Sequence, residues 1–316
     1  MKKLCIKNIV KLTLFTFFML SCTQIPSQMT VQKLDNNSLF SFAVMSDNKG
    51  YGLENESMYK TDKWIREGGD KFILGLGDHV KDNRPNLFLG FLRKDSLWHN
   101  HFYPSVADGE NELWGKDQGD YGSGVPILKY VDLEKRDNVT IGDNGCDYYA
   151  IEKYGGIKIH IIQLYYSDTP LIPDTAFTEN TRKYLFDTLN KINKTDNDII
   201  VVLAHTNEWI DVLSDERRKK LLSKADLLFE ANTHSYRKVD LKVTDPENSA
   251  ALFNTGAVGN SSDNGFIQIH VLPNPLRLIV QYLETSNDDR VLQRDGFAYQ
   301  KVINGATTPI NWDNFK

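Results

Sequence analysis

The chain has 316 residues, 41% hydrophobic and 25% charged, enough for one large α/β domain with a substantial core. Its 37 basic and 42 acidic residues leave a net charge of -5, so there is no basic excess of the kind a nucleic-acid partner would require.

The first residues form a unit of their own. Lys2, Lys3, Lys7 and Lys11 make a positive start, Leu12 to Leu20 is apolar apart from Thr13 and Thr16, and Leu20-Ser21-Cys22 follows at once. That is the layout of a bacterial lipoprotein signal over 1–22, with Cys22 lipidated at its thiol after cleavage. An ordinary secretory signal or an N-terminal anchor is the alternative, but the apolar stretch is too short to span a bilayer. Cleavage would remove Cys5 and lipid would occupy Cys22, leaving Cys146 with no disulfide partner. The expected location is the bacterial cell envelope, lipid-anchored at the membrane. Residues 23–38 are polar and aperiodic and read as a flexible tether, so the folded domain is expected over 39–316.

Apolar strands then alternate with amphipathic helices. Leu39 to Met45 predicts a strand ending at Ser46-Asp47, and a helix over Ser57 to Glu67 turns Met58, Trp64 and Ile65 inward before Gly68-Gly69 stops it. Lys71 to Leu76 is the next strand, ending at Gly77-Asp78, which completes a βαβ unit and a parallel pair. A helix over Asn86 to Trp98 presents Leu87, Phe88, Phe91 and Leu92 and leads to a strand at Phe102 to Val106, then Asp108-Gly109-Glu110-Asn111. Gly115 to Asn144 is rich in Gly, Asp and Lys and reads as an insertion or long loop near the site.

Strands Tyr148 to Glu152 and Ile157 to Leu164 flank Gly155-Gly156, the signature of a hairpin. A helix over Asn180 to Ile192 precedes the most hydrophobic strand, Ile199 to Leu203, which delivers Ala204-His205. Helix Asp215 to Ser223 and strand Asp226 to Phe229 deliver Asn232-Thr233-His234. Three segments, Ala250 to Asn254, Gly265 to Leu272 and Leu276 to Leu283, read as antiparallel strands broken by Pro273 and Pro275. His160 and His270 alternate with apolar neighbours and belong to sheet faces, while Trp114, Tyr165, Tyr166 and Trp209 suit either pocket walls or packing.

Carboxylates, imidazoles and amides therefore recur at five strand ends: Ser46-Asp47-Asn48-Lys49-Gly50, Gly77-Asp78-His79-Val80, Gly109-Glu110-Asn111-Glu112, Ala204-His205-Thr206 and Ala231-Asn232-Thr233-His234. In an α/β sheet such ends are where ligands converge. Taken one at a time, Gly-Asp or a His after a strand is weak: Asp47 alone is more often a helix cap and a single His more often structural. Their order along the chain, with 31 residues from Asp47 to Asp78 and 31 more to Gly109, is what carries weight.

The ordered set resembles the calcineurin-like metallophosphoesterases, including the purple-acid-phosphatase branch, over about Phe40 to Leu283. The resemblance implies a sandwich of two mixed β-sheets flanked by helices. In Asp47-Asn48-Lys49 the family's first Asp stands and its His has become Lys; Asp78 matches the bridging carboxylate. Glu110 replaces a ligand Asn, and Asn111 replaces the His that helps protonate the leaving group. His205 matches the family's fourth motif; in the fifth, Asn232 replaces the first His and His234 keeps the second. One implied metal set is Asp47, Lys49, Asp78 and His234, where a lysine ammonium would occupy the cation's place and weaken or remove the first metal. The other is Asp78, Glu110, His205 and Asn232, rich enough in oxygen to favour Mn, Mg or Ca over Zn or Fe.

One divalent metal is the expectation. The implied function is that of an exported phosphomono- or diester hydrolase, with Lys49 sharing the electrostatic role, Asn111 orienting a phosphoryl oxygen, and His79 and Asn83 lining the pocket for a small phosphorylated substrate. The alternatives are an inactive phosphoesterase-like binding protein for phosphorylated or anionic ligands, and a structural ion cluster of Asp47, Lys49 and Asp78.

Overall fold

The computed structural model describes residues 38–48, 56–79, 90, 92–106, 113–114, 125–165, 179–206, 209–242, 244–258, 264–285, 291–302 and 306–315, all within the unit Val31–Lys316. The leader 1–22, the tether to residue 37, the greater part of the expected helix from Asn86, and the assigned Lys49, Asn83, Glu110 and Asn111 lie outside the described residues.

In chain order the strands are β1 (Phe40–Met45), β2 (Ile73–Gly75), β3 (Phe102–Pro104), β4 (Leu113–Trp114), β5 (Val125–Pro126), β6 (Val139–Ile141), β7 (Tyr148–Tyr154), β8 (Ile157–Leu164), β9 (Asp198–Ala204), β10 (Leu227–Glu230), β11 (Arg237–Val239), β12 (Ala251–Asn254), β13 (Gly265–Leu272), β14 (Arg277–Thr285), β15 (Val291–Lys301) and β16 (Thr307–Ile310). The helices are α1 (Glu56–Glu67), α2 (Ser96–Asn100), α3 (Ile127–Tyr130), α4 (Glu179–Lys191) and α5 (Asp215–Lys224). Two seven-stranded sheets result, ordered β16-β15-β14-β13-β1-β2-β3 and β11-β12-β10-β9-β8-β7-β6. Both are mixed. β1, β2 and β3 run parallel in the first, and β8, β9, β10 and β12 run parallel in the second.

Period-two patterning explains the layering. Along β9, Ile199, Val201 and Leu203 join the main core with Phe42, Val44, Ile267 and Val280 of the first sheet. Their neighbours Ile200, Val202 and Ala204 face the other way, onto Leu185 and Leu189 of α4 and Leu221 and Leu222 of α5. Each such side chain, fully buried, contributes roughly 1.5–3 kcal/mol. A third cluster, Leu272, Ile279 and Ala298 with Trp312 and Phe315, covers the other face of the first sheet. At the β7–β8 hairpin both turn glycines adopt positive φ, 56° and 82°, which an L-residue with a Cβ resists.

Four expectations are corrected. Instead of one helix running to Trp98, Asp95 accepts the Leu97 and Trp98 N–H groups and caps the separate α2, so the chain breaks before it. The segment to Asn144 is not all loop, because Ile127, Leu128, Val131 and Leu133 are buried on α3 and the turn after it, and β6 pairs with β7. Ala251 to Asn254 is parallel to β10 and belongs to the second sheet, apart from the antiparallel β13 and β14. Finally β15 and β16, absent from the sequence reading, extend the first sheet. His160 and His270 do sit on sheet faces, bonded to Tyr149 and Asp198 and to Gln281 respectively.

Candidate metal centre

Parallel strands deliver the site. Asp47 and Asp78 follow β1 and β2 of the first sheet, and His205 and Asn232 follow β9 and β10 of the second, so adjacent carboxyl ends of both sheets meet. Asp47, Asp78, Asn232 and His234 have φ of 50°, 55°, 71° and 55°, a left-handed conformation that is uncommon outside glycine and clusters at functional sites. Backbone bonds hold these turns: Asp47 N–H donates to Gly77 O at 3.0 Å, Ala231 N–H to His205 O at 2.8 Å, and Val258 N–H to Ser46 O at 3.1 Å. Ser46 Oγ lies 2.6 Å from Thr255 Oγ1 and donates to Gly256 O, while Asn254 donates to Ala231 O and accepts from Thr233 Oγ1.

One donor atom each from Asp47, Asp78 and His234 lie within 4.8 Å of one another, the two carboxylates buried and the imidazole half-buried. His234 Nε2 is 3.1 Å from Asp47 Oδ1, yet that buried oxygen accepts no hydrogen bond of good geometry. Asp47 Oδ2 accepts the Asn232 N–H at 3.2 Å. Burial works to raise the Asp47 pKa, but the His234 contact and the nearby His205 outweigh it and leave the carboxyl below its ordinary range. His205 Nδ1 lies 2.8 Å from the Leu76 carbonyl, which can only accept, so Nδ1 carries a proton and Nε2 is turned the other way. That Nε2 is 3.6 Å from Asp78 Oδ1, too far for a hydrogen bond. Two carboxylates and one imidazole in close proximity, with a second imidazole held by a backbone carbonyl beside Asp78, fit a divalent cation.

The described donors that meet are those of the first expected set, Asp47, Asp78 and His234, with His205 beside Asp78. Asn232 contributes its backbone N–H to Asp47. His79 is no pocket wall. It is fully buried, Nε2 accepts the Gly77 N–H, and burial with the neighbouring His205 pushes its pKa down to about 3. Tyr165 and Trp209 are buried in the packing. Ser46, Asn48, Asn254 and Thr255 were not legible as site residues in the sequence, since partners stand as far as 210 residues away. The only local hint is polar residues continuing straight on from apolar strands.

No protein-family profile matches the chain, and no curated protein matches it by sequence. Solved structures do match. A dimetal phosphatase from Danio rerio superposes with a TM-score of 0.50 at 10% identity, over 84% of this chain and 100% of that one. A 5'-nucleotidase from Candida albicans does so with a TM-score of 0.50 at 13% identity, over 80% of this chain and 53% of that one, so the chain spans about half its length. The chain shares the fold of these two structures, an α/β fold of two mixed sheets flanked by helices.

Proposed function

We propose that the protein is a metal-dependent phosphoester hydrolase whose centre is built on Asp47, Asp78, His205 and His234. The buried convergence of the Asp47, Asp78 and His234 donors within 4.8 Å carries this reading. It is supported by a fold shared with a phosphatase and a nucleotidase. A bound divalent cation supplies positive charge to phosphoryl oxygens and lowers the pKa of a water.

The chain's own groups prepare that site. The Asn232 N–H orients Asp47, and the Leu76 carbonyl holds the His205 ring by Nδ1, leaving Nε2 to face Asp78. Burial of both carboxylates keeps bulk water from screening the charges they meet. Lys49 is assigned electrostatic stabilisation of the phosphoryl group and Asn111 its orientation; Glu110 and the Asn232 side chain complete the donor set, and Asn83 lines the pocket. One ion is proposed, Mn, Mg or Ca in preference to Zn or Fe. The substrate is a small phosphorylated compound, and the lipid-signal layout ending at Cys22 supports an exported, membrane-tethered protein.

A second reading, a phosphate-binding protein without turnover, is favoured by Asn111 standing where the resemblance places a proton-donating His. The test is metal analysis of protein purified without chelator, then assay on aryl phosphomonoesters and phosphodiesters with added Mn. Metal uptake with hydrolysis supports the enzyme. Metal uptake and phosphate binding without hydrolysis supports the binding protein. No metal uptake overturns the enzyme, and no phosphate binding overturns the binding protein.

A further inference from the structure

We propose that Asn48 and His79 are positioning residues that set the spacing of the Asp47 and Asp78 carboxylates, and through that spacing the affinity for the cation. The inference rests on the reading of this centre as a cation site.

Two buried like charges repel, and each of these is carried by a single residue in a strained left-handed turn. On the strand side the turns are joined by backbone bonds, Leu76 N–H to Met45 O at 2.8 Å and Asp47 N–H to Gly77 O at 3.0 Å. Beyond the carboxylates they are joined again, by side chains. Asn48 Oδ1 is 2.7 Å from His79 Nδ1, and Asn48 Nδ2 donates to the His79 carbonyl at 3.1 Å. Because His79 Nε2 accepts the Gly77 N–H at 3.2 Å, Nδ1 is the protonated nitrogen and donates to Asn48. Asp47 and Asp78 thus sit between two pairs of cross-links, inside a closed ring.

His79 is itself immobilised. Its ring meets Phe102 edge-on, with centroids 5.3 Å apart, and lies against Gly75, where an added Cβ would come within 2.6 Å of Nε2. A rigid imidazole that grips the residue next to Asp47 resists the spreading that charge repulsion drives.

Four variants test the proposal in full-length protein, with Mn2+ alone as titrant: Asn48→Leu, His79→Leu, His79→Gln and His79→Asn. In His79→Asn the amide Nδ2 stands in for Nδ1 and keeps the bond to Asn48. His79→Gln is equally polar but keeps only the Gly77 contact. Asn48→Leu, His79→Leu and His79→Gln should lose about 10- to 100-fold in Mn affinity, and His79→Asn should stay near wild type. Metal-free crystal structures should show the Asp47 and Asp78 donor atoms of Asn48→Leu farther apart than those of wild type. Equal Mn affinity for His79→Gln and His79→Asn, or a lower melting temperature with unchanged affinity and spacing, overturns the proposal. Wild type that takes up no Mn overturns the cation reading instead, and the metal-free carboxylate spacing still decides the role of the pair.

Discussion

His205 Nε2 faces Asp78 Oδ1 across 3.6 Å, although the two residues are carried by strands of different sheets. The Leu76 carbonyl at the end of β2 holds the imidazole there, so the same segment presents the carboxylate and orients its neighbour from the other sheet. Nothing in that gap is a hydrogen bond. The gap leaves room for a cation between carboxylate and imidazole.

Replacing Asp78 should therefore have opposite effects with and without metal. In EDTA, Asp78→Asn removes one of two buried neighbouring charges and should melt higher than wild type. With Mn present the order should reverse, because wild type gains ligand stabilisation that the variant loses. Thermal unfolding in the two buffers checks this; the same order in both would contradict a cation site.

Asp70 offers a pH test away from the centre. It is buried beneath Gln268, whose amide donates to both carboxylate oxygens, and burial pushes its pKa up to about 7. Between the ordinary carboxyl value and about 7 the folded state binds a proton that the unfolded chain has lost, so this group's stabilisation falls as pH rises through that window. Asp70→Asn cannot lose that proton. It should be more stable than wild type at pH 8 by roughly 1–2 kcal/mol, with the advantage fading toward pH 4, as read by urea unfolding.

Asp226 is the anchor of a second buried ionic group. Lys301 Nζ contacts both its oxygens at 2.8 and 2.9 Å, Lys194 Nζ lies at 3.1 Å, and the Ile200 N–H donates at 2.8 Å. Burial, with Lys301 alongside, pushes Lys194 down to about 7. Asp226→Asn strips two buried amines of their counter-charge and should cost on the order of 3–5 kcal/mol. Lys301→Met should cost less, because Lys194 then takes up the full charge opposite Asp226. Urea unfolding of the two variants gives the order, and equal costs would contradict it.

Cys146 is buried and unbridged, and burial pushes its thiol up to about 12. Native protein at pH 8 should leave Cys146 unmodified by iodoacetamide, whereas unfolded protein should label fully, as followed by peptide mass spectrometry.

Much of the fold was legible because its signals are local. Apolar runs such as Ile199 to Leu203, the glycines of the β7–β8 turn and the helix stops at Gly68-Gly69 act over a few residues. β15 was not legible, because its run Leu-Gln-Arg-Asp-Gly interrupts the apolar pattern and its register against β14 shifts near Tyr282 and Leu283. The break before α2 hinged on one side chain, Asp95, turning onto the Leu97 and Trp98 N–H groups.

At the site, residue types and order were readable, but partnerships were not. The sequence by itself determined which strand ends carry carboxylate and imidazole, since apolar period and turn residues place those ends without reference to the rest of the chain. Only the tertiary structure decided that Asp47, Asp78 and His234 share one centre, and that His79 turns into the core to hold Asn48. The pairing of two sheets and the left-handed turns at their rims bring together residues far apart in the chain, and no local pattern records such contacts.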